Sequence, residues 1–118
     1  MALCFSRKEI KLPLYENNGT GTGYSQQIFE WGMRAVQIEL DVANAPVVMS
    51  LLSSATGESS HADWEQDLYV SPQHRTISRQ GIFGIRFKTI EPEGELPFVS
   101  FEVIGEAEAY PNFAQLLK

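Results

Sequence analysis

The residue types best able to do chemistry in this chain are gathered in one segment. SSHADWEQD, residues 59–67, places His61, Asp63, Glu65 and Asp67 at every second position. Oxygen ligands at alternating positions suggest a calcium loop, because a hard cation takes about six to eight of them. The glycine that turns an EF-hand loop and its closing bidentate glutamate are both missing here. The segment therefore reads as a solvated polar loop anchored by Trp64, with no tightly held metal expected.

The remaining chemistry is sparse. His61 and His74 are the two histidines, and neither stands beside a cysteine or serine motif that would make it a general base. The HExxH, GxSxG and P-loop patterns are absent. NNGTGTGY (17–24) carries alternating glycines, but Tyr24 follows Gly23 where a phosphate loop has lysine. No spacing sets two carboxylates across a cleft, as glycosidic cleavage requires. The expectation is a non-enzyme without a cofactor. Trp31, Trp64, Tyr24, Tyr69 and Tyr110 could stack on sugar rings instead. That would make the chain a carbohydrate-binding or host-adhesion module, recognisable by two rings exposed on one face.

Charge narrows the partners. With 15 acidic against 9 basic residues and a net charge of −6, the chain lacks the cationic stripe that phosphate backbones and anionic membranes attract. Neither nucleic acid nor membrane is expected. The single cysteine, Cys4, forms no intrachain disulfide, which fits a reducing compartment. MALCFSRKEI puts its cations after a short apolar run, the reverse of a signal peptide. No apolar run approaches the length of a membrane span. The chain reads as a product of the cytoplasm.

The elements that must position these residues follow a period of two. EIKLPLY (9–15) sets Ile10, Leu12 and Leu14 on one side, with Pro13 marking a sheet edge. MRAVQIELDV (33–42) sets Val36, Ile38, Leu40 and Val42 inward. SQQIFEW (25–31), DLYVS (67–71), RTISR (75–79), GIFGIRFKTI (81–90) and PFVSFEVIG (97–105) are further extended pieces. VVMSLL (47–52) is apolar on both parities, as a covered strand is. About eight short antiparallel strands and no long helix predict an all-β domain, a single β-sandwich of jelly-roll or immunoglobulin-like topology over 1–108. Residues 109–118 leave the pattern and form a C-terminal arm or short helix.

GIFGIRFKTI is the most telling strand. Phe83, Ile85 and Phe87 point inward with Val99, Phe101 and Val103, while Arg86 and Lys88 point out. Gly84 marks a bulge or a close approach by another chain, since glycine otherwise only weakens a strand. In the arm, Tyr110, Phe113, Leu116 and Leu117 recur at helical spacing on a segment too short to be helical alone. It folds back on its own domain or docks on a neighbour. Together with Val48, Ser50 and Leu52 on the 47–52 strand, these four residues are the candidate oligomer interface.

Gly84, Ile85, Arg86, Phe87 and Lys88, followed by Val99, Val103 and Gly105, resemble the closing hairpin of small β-sandwich proteins from tailed-phage virions. The likeness covers about a quarter of the chain. The acidic connection EPEGE replaces the small residues usual there. The resemblance implies a structural subunit of a virion, a decoration, collar or fibre-associated protein. It further implies assembly as a homo-oligomer, a trimer or ring, with other virion proteins as partners. Arg86 and Lys88 would then pair with carboxylates, including those of a neighbour.

Overall fold

A computed structural model describes residues 5–13, 26–90 and 94–106. Seven strands form one antiparallel sheet: β1 (Phe5–Pro13), β2 (Gln26–Ala43), β3 (Val47–Ser53), β4 (Asp63–Trp64), β5 (Leu68–Val70), β6 (Gln73–Thr89) and β7 (Phe98–Glu106). The order is β1-β7-β2-β6-β3-β4, with β5 also on β3. Among the described residues a 3-10 turn, Ser59–His61, interrupts the strands.

The all-β, sandwich-like architecture expected from the alternation is present, but it is made by bending rather than by stacking separate short strands. SQQIFEW and MRAVQIELDV join into the 18-residue β2, and RTISR and GIFGIRFKTI into the 17-residue β6. Both change partners half-way. Residues 26–30 of β2 pair with 84–88 of β6, whose other side pairs with β3. Residues 37–42 of β2 pair with 73–78 of β6, and its other side pairs with β7 and then β1. The sheet thus consists of a β3 half and a β7 half, joined by the bent β2–β6 pair. Across the gap Phe101 of the β7 half meets Phe29 and Phe87 of the β3 half, with ring centroids 5.6 and 5.7 Å apart. Each such buried phenylalanine contributes about 1.5–3 kcal/mol.

Bulges make the bend and move two of the expected core residues. Against β3, Leu52 faces Gly84 and Ser53 faces Ile82, so Phe83 is the extra residue. Against β7, Ala35 faces Gly105 and Gln37 faces Ile104, so Val36 is extra. Ala35 and Ile82 consequently join the main core, Val36 is only half-buried, and Phe83 is buried outside that cluster. An extra residue on one strand reverses parity beyond it. Ile38, Leu40, Ile85, Phe87, Val99, Phe101 and Val103 lie in the core as expected. Gly84 sits beside the bulge where a Cβ would come 3.0 Å from the Phe29 carbonyl oxygen and 3.2 Å from the Leu52 Cβ, so close approach of both flanking strands requires glycine there. The turn into β3 runs through Asn44 at φ 76°, a conformation asparagine tolerates.

The connection 91–96 is not the hairpin that its sequence suggests. β7 pairs with β1 and β2 and not with β6, so the chain crosses from one half of the sheet to the other between Thr89 and Phe98. Of the residues that carry the virion resemblance, Ile85, Phe87, Val99 and Val103 therefore meet in one core without sharing a ladder.

Candidate interaction face

Side chains opposite one another on paired strands share a face. On the outer face of the β3 half, one row runs Gln26, Lys88, Val48, Tyr69, the next Ile28, Arg86, Ser50, and a third Glu30, Gly84, Leu52, Trp64. Tyr69 is 61% and Ile28 51% exposed, while Val48, Leu52 and Trp64 are half-buried. Of the candidate interface residues, Val48, Ser50 and Leu52 are thus brought onto one face. Ser50 is covered by the chain itself: its hydroxyl donates to the Glu65 carbonyl at 2.6 Å, and the Glu65 N–H donates to the Leu51 carbonyl at 2.7 Å. Tyr110, Phe113, Leu116 and Leu117, with the whole 109–118 arm, lie outside the described residues.

The cations of this face find partners within the chain. The Lys88 ammonium lies 3.2 Å from Asp67 and the Arg86 guanidinium 3.6 Å from the same carboxylate. The Arg86 guanidinium carbon also sits 4.5 Å from the centroid of the Trp64 ring, a cation–π arrangement. Arg86 Nε is buried with no hydrogen-bond partner among the described residues. Sequence reasoning missed this Trp64–Arg86–Asp67 group because the segment that supplies Trp64 and Asp67 read as a free loop.

That segment, 59–67, is a strap with its acidic groups spent separately. Glu65 receives two hydrogen bonds from Arg79, at 2.9 and 3.2 Å, and one from the Ser53 hydroxyl. Burial pushes the Glu65 carboxyl up, and the Arg79 and Ser53 contacts outweigh it, leaving its pKa below the ordinary 4.5. His61 Nδ1 lies 3.0 Å from the Thr56 hydroxyl. Among the described residues no three Asp, Glu, His or Cys side chains converge as a metal site.

His74 belongs to the other half. Its ring nitrogens meet Asp41 at 2.8 Å and Glu39 at 2.9 Å, and Thr76 donates to Glu39 at 2.8 Å. The contacts to Asp41 and then Glu39 raise the imidazole pKa above 6.5. Glu39 is lowered from 4.5, first by the Thr76 hydroxyl. The cluster is an exposed network of hydrogen bonds and charges on the strand surface.

Among the described residues the aromatic side chains do not form a two-ring platform, and Tyr24 and Tyr110 lie outside those residues. Trp31 is buried, its Nε1 donating to the Ile82 carbonyl at 2.8 Å. Trp64 and Tyr69 share the outer face but lie opposite Leu52 and Val48, four positions apart along β3. Strand rise puts that at about 13 Å. One face of Trp64 is already taken by Arg86.

No family model matches the chain, and no curated protein matches it. Among solved structures, the crystal structure of the SPBc2 prophage-derived protein YomS superposes with a TM-score of 0.47 at 11% identity, covering 89% of this chain and 100% of that one. This is a partial likeness in the path of the chain. No helix among the described residues is long and apolar enough to cross a membrane.

Proposed function

We propose that this chain is a non-enzymatic structural subunit of a phage-like virion that works by protein–protein assembly as a homo-oligomer. The observation that supports assembly is the outer face of the β3 half. Ile28 and Tyr69 stand exposed beside Val48, Leu52 and Trp64, and the two cations among them, Lys88 and Arg86, share the Asp67 carboxylate. An apolar face whose cations already hold a carboxylate within the chain loses less on desolvation than one with free cations, which suits a protein interface. The virion role itself rests on the sequence resemblance of 84–88 and 99–105. The arm 109–118, with Tyr110, Phe113, Leu116 and Leu117, would dock beside β3 of a neighbour.

Size-exclusion chromatography with light scattering, followed by negative-stain imaging, tests the reading. The full chain is expected to form a defined oligomer or to bind particles. Tyr69→Asp and deletion of 109–118 are each expected to yield monomers with unchanged circular dichroism. A full-length monomer at high concentration that binds no particle overturns the proposal. A glycan-binding monomer would favour the adhesion module instead.

A further inference from the structure

Residues 73–78 of β6 form an open strand edge at the side of the sandwich. One side of this segment pairs with β2, while β3 takes the other side of β6 only from Ile82 onward. Among the described residues no strand pairs with the second side of 73–78. Such an edge offers a row of N–H and C=O groups to any extended chain that approaches. It is occupied at its end, where Arg79 donates to the Ser78 carbonyl at 2.8 Å. β1, the far edge of the same half, contains Pro13, whose nitrogen cannot donate to a ladder, whereas QHRTI (73–77) has no proline.

The side chains of this edge carry a charge preference. Arg75 lies opposite Leu40 and Ile77 opposite Ile38, and both of those partners are fully buried. Arg75 and Ile77 therefore point inward, between the two halves of the sheet. Arg75, Ile77 and Arg79 line a cavity of about 110 Å³ there, together with Met49 and Leu68 of the β3 half. The two arginines differ. Arg79 already holds the Glu65 carboxylate through two hydrogen bonds, at 2.9 and 3.2 Å. Arg75 is half-buried and makes no hydrogen bond or ion pair among the described residues. Its guanidinium keeps a planar fork of donors that matches a carboxylate. An inward-pointing charge on an edge also bars an apolar strand from adding to it. A strand that brings a carboxylate to the facing position cancels that bar.

We propose that the 73–77 edge of β6 accepts an extended acidic segment of a partner protein as an added strand, with one carboxylate of that segment on Arg75. Main-chain hydrogen bonds supply the affinity of such an addition, and the alternate side chains that face inward supply its specificity. The cavity takes the end of one acidic side chain, as the Glu65 carboxylate already serves Arg79. This edge belongs to the β7 half and not to the outer face of the β3 half, so its test does not depend on the virion reading.

The test is a nuclear magnetic resonance titration of the full chain with the capped pentapeptide Val-Thr-Glu-Thr-Val, its glutamine counterpart and sodium acetate. The glutamate peptide is expected to bind with millimolar affinity and to slow the solvent exchange of every second amide between Gln73 and Ile77. The glutamine peptide should bind about tenfold more weakly, as loss of a charge-assisted hydrogen bond does. Arg75→Gln should erase the difference between the two peptides and leave the circular dichroism unchanged. Equal binding of the two peptides to the unaltered chain overturns the proposal, and so does a preference for glutamate that survives Arg75→Gln. Acetate that matches the glutamate peptide at equal concentration also overturns it, since the site then takes a free anion without strand addition. No shift at about 10 mM peptide, an excess over millimolar affinity, would leave Arg75 as a guard of the edge alone and overturns it as well.

Discussion

The two outer faces of this bent sheet are built from the same alternation and yet differ in kind. Behind the β7 half, between Phe98 at one end and the buried Ile104 at the other, the outward row is polar: Glu9, Glu102, Glu39 and Thr76 lie side by side, with Lys11, Ser100, Asp41 and His74 in the next row. Behind the β3 half the outward residues include Ile28, Val48, Leu52, Trp64 and Tyr69. Both halves bury their inner face in one shared core. The β7 half meets water with its outer face, as antiparallel sheets commonly do. The β3 half partly covers its own outer face with the strap 59–67 and leaves the rest apolar. A strand that is greasy on both parities signals a covered surface, and the described residues cover it only in part.

The comparison can be broken most sharply at the core that both halves share. Phe101→Ala removes the ring that contacts Phe29 and Phe87 and should cost about 3–5 kcal/mol in urea unfolding. A loss under about 1 kcal/mol would mean the halves are not held by this packing. Trp31→Phe, at the bend, deletes the hydrogen bond to the buried Ile82 carbonyl and should cost about 1–3 kcal/mol.

Both halves should weaken as pH falls, through Glu39 and Glu65, but the raised histidine belongs to the polar face. The His74 pKa is raised from 6.5, so its stabilisation is complete below that value and disappears as pH rises through the folded pKa. The Glu39 pKa is lowered from 4.5, so its contribution is present above that value and disappears as pH falls through the folded pKa. The melting-temperature difference between wild type and His74→Gln should therefore be largest between 4.5 and 6.5 and fade in alkaline buffer. A difference independent of pH would exclude the charge network as its cause. Smallest in stability is Tyr69→Ala on the apolar face, expected within about 0.5 kcal/mol of wild type. Its effect should appear in assembly alone, and a marked loss of stability would show that the ring belongs to its own fold.

Much of the fold was legible because strand parity is local. Ile38, Leu40, Ile85, Phe87, Val99, Phe101 and Val103 could be assigned inward from their alternation, and Pro13 marked β1 as an edge, which it is among the described strands, where it pairs with β7. The departures sit at the bend. Val36 is only half-buried, and Phe83 is buried as expected but outside the main cluster, because each is the extra residue of a bulge that only the neighbouring strand reveals. The interaction face was half-legible for the same reason: doubly apolar VVMSLL announced a second covered surface, whereas Trp64 and Asp67 reach it through a strap whose path no periodicity records.

Period-two alternation and composition by themselves determined that this chain is an all-β domain and, away from the bend, which residues of its strands form the inner face. Tertiary structure alone decided that eight expected pieces become seven strands, that β7 lies against β2 rather than β6, and that Asp67 is the carboxylate shared by Lys88 and Arg86. The reason is physical. Side-chain alternation follows from the geometry of a single extended chain. Pairing, bulges and ion pairs follow from which distant strand approaches, a balance of long-range contacts that no local pattern carries.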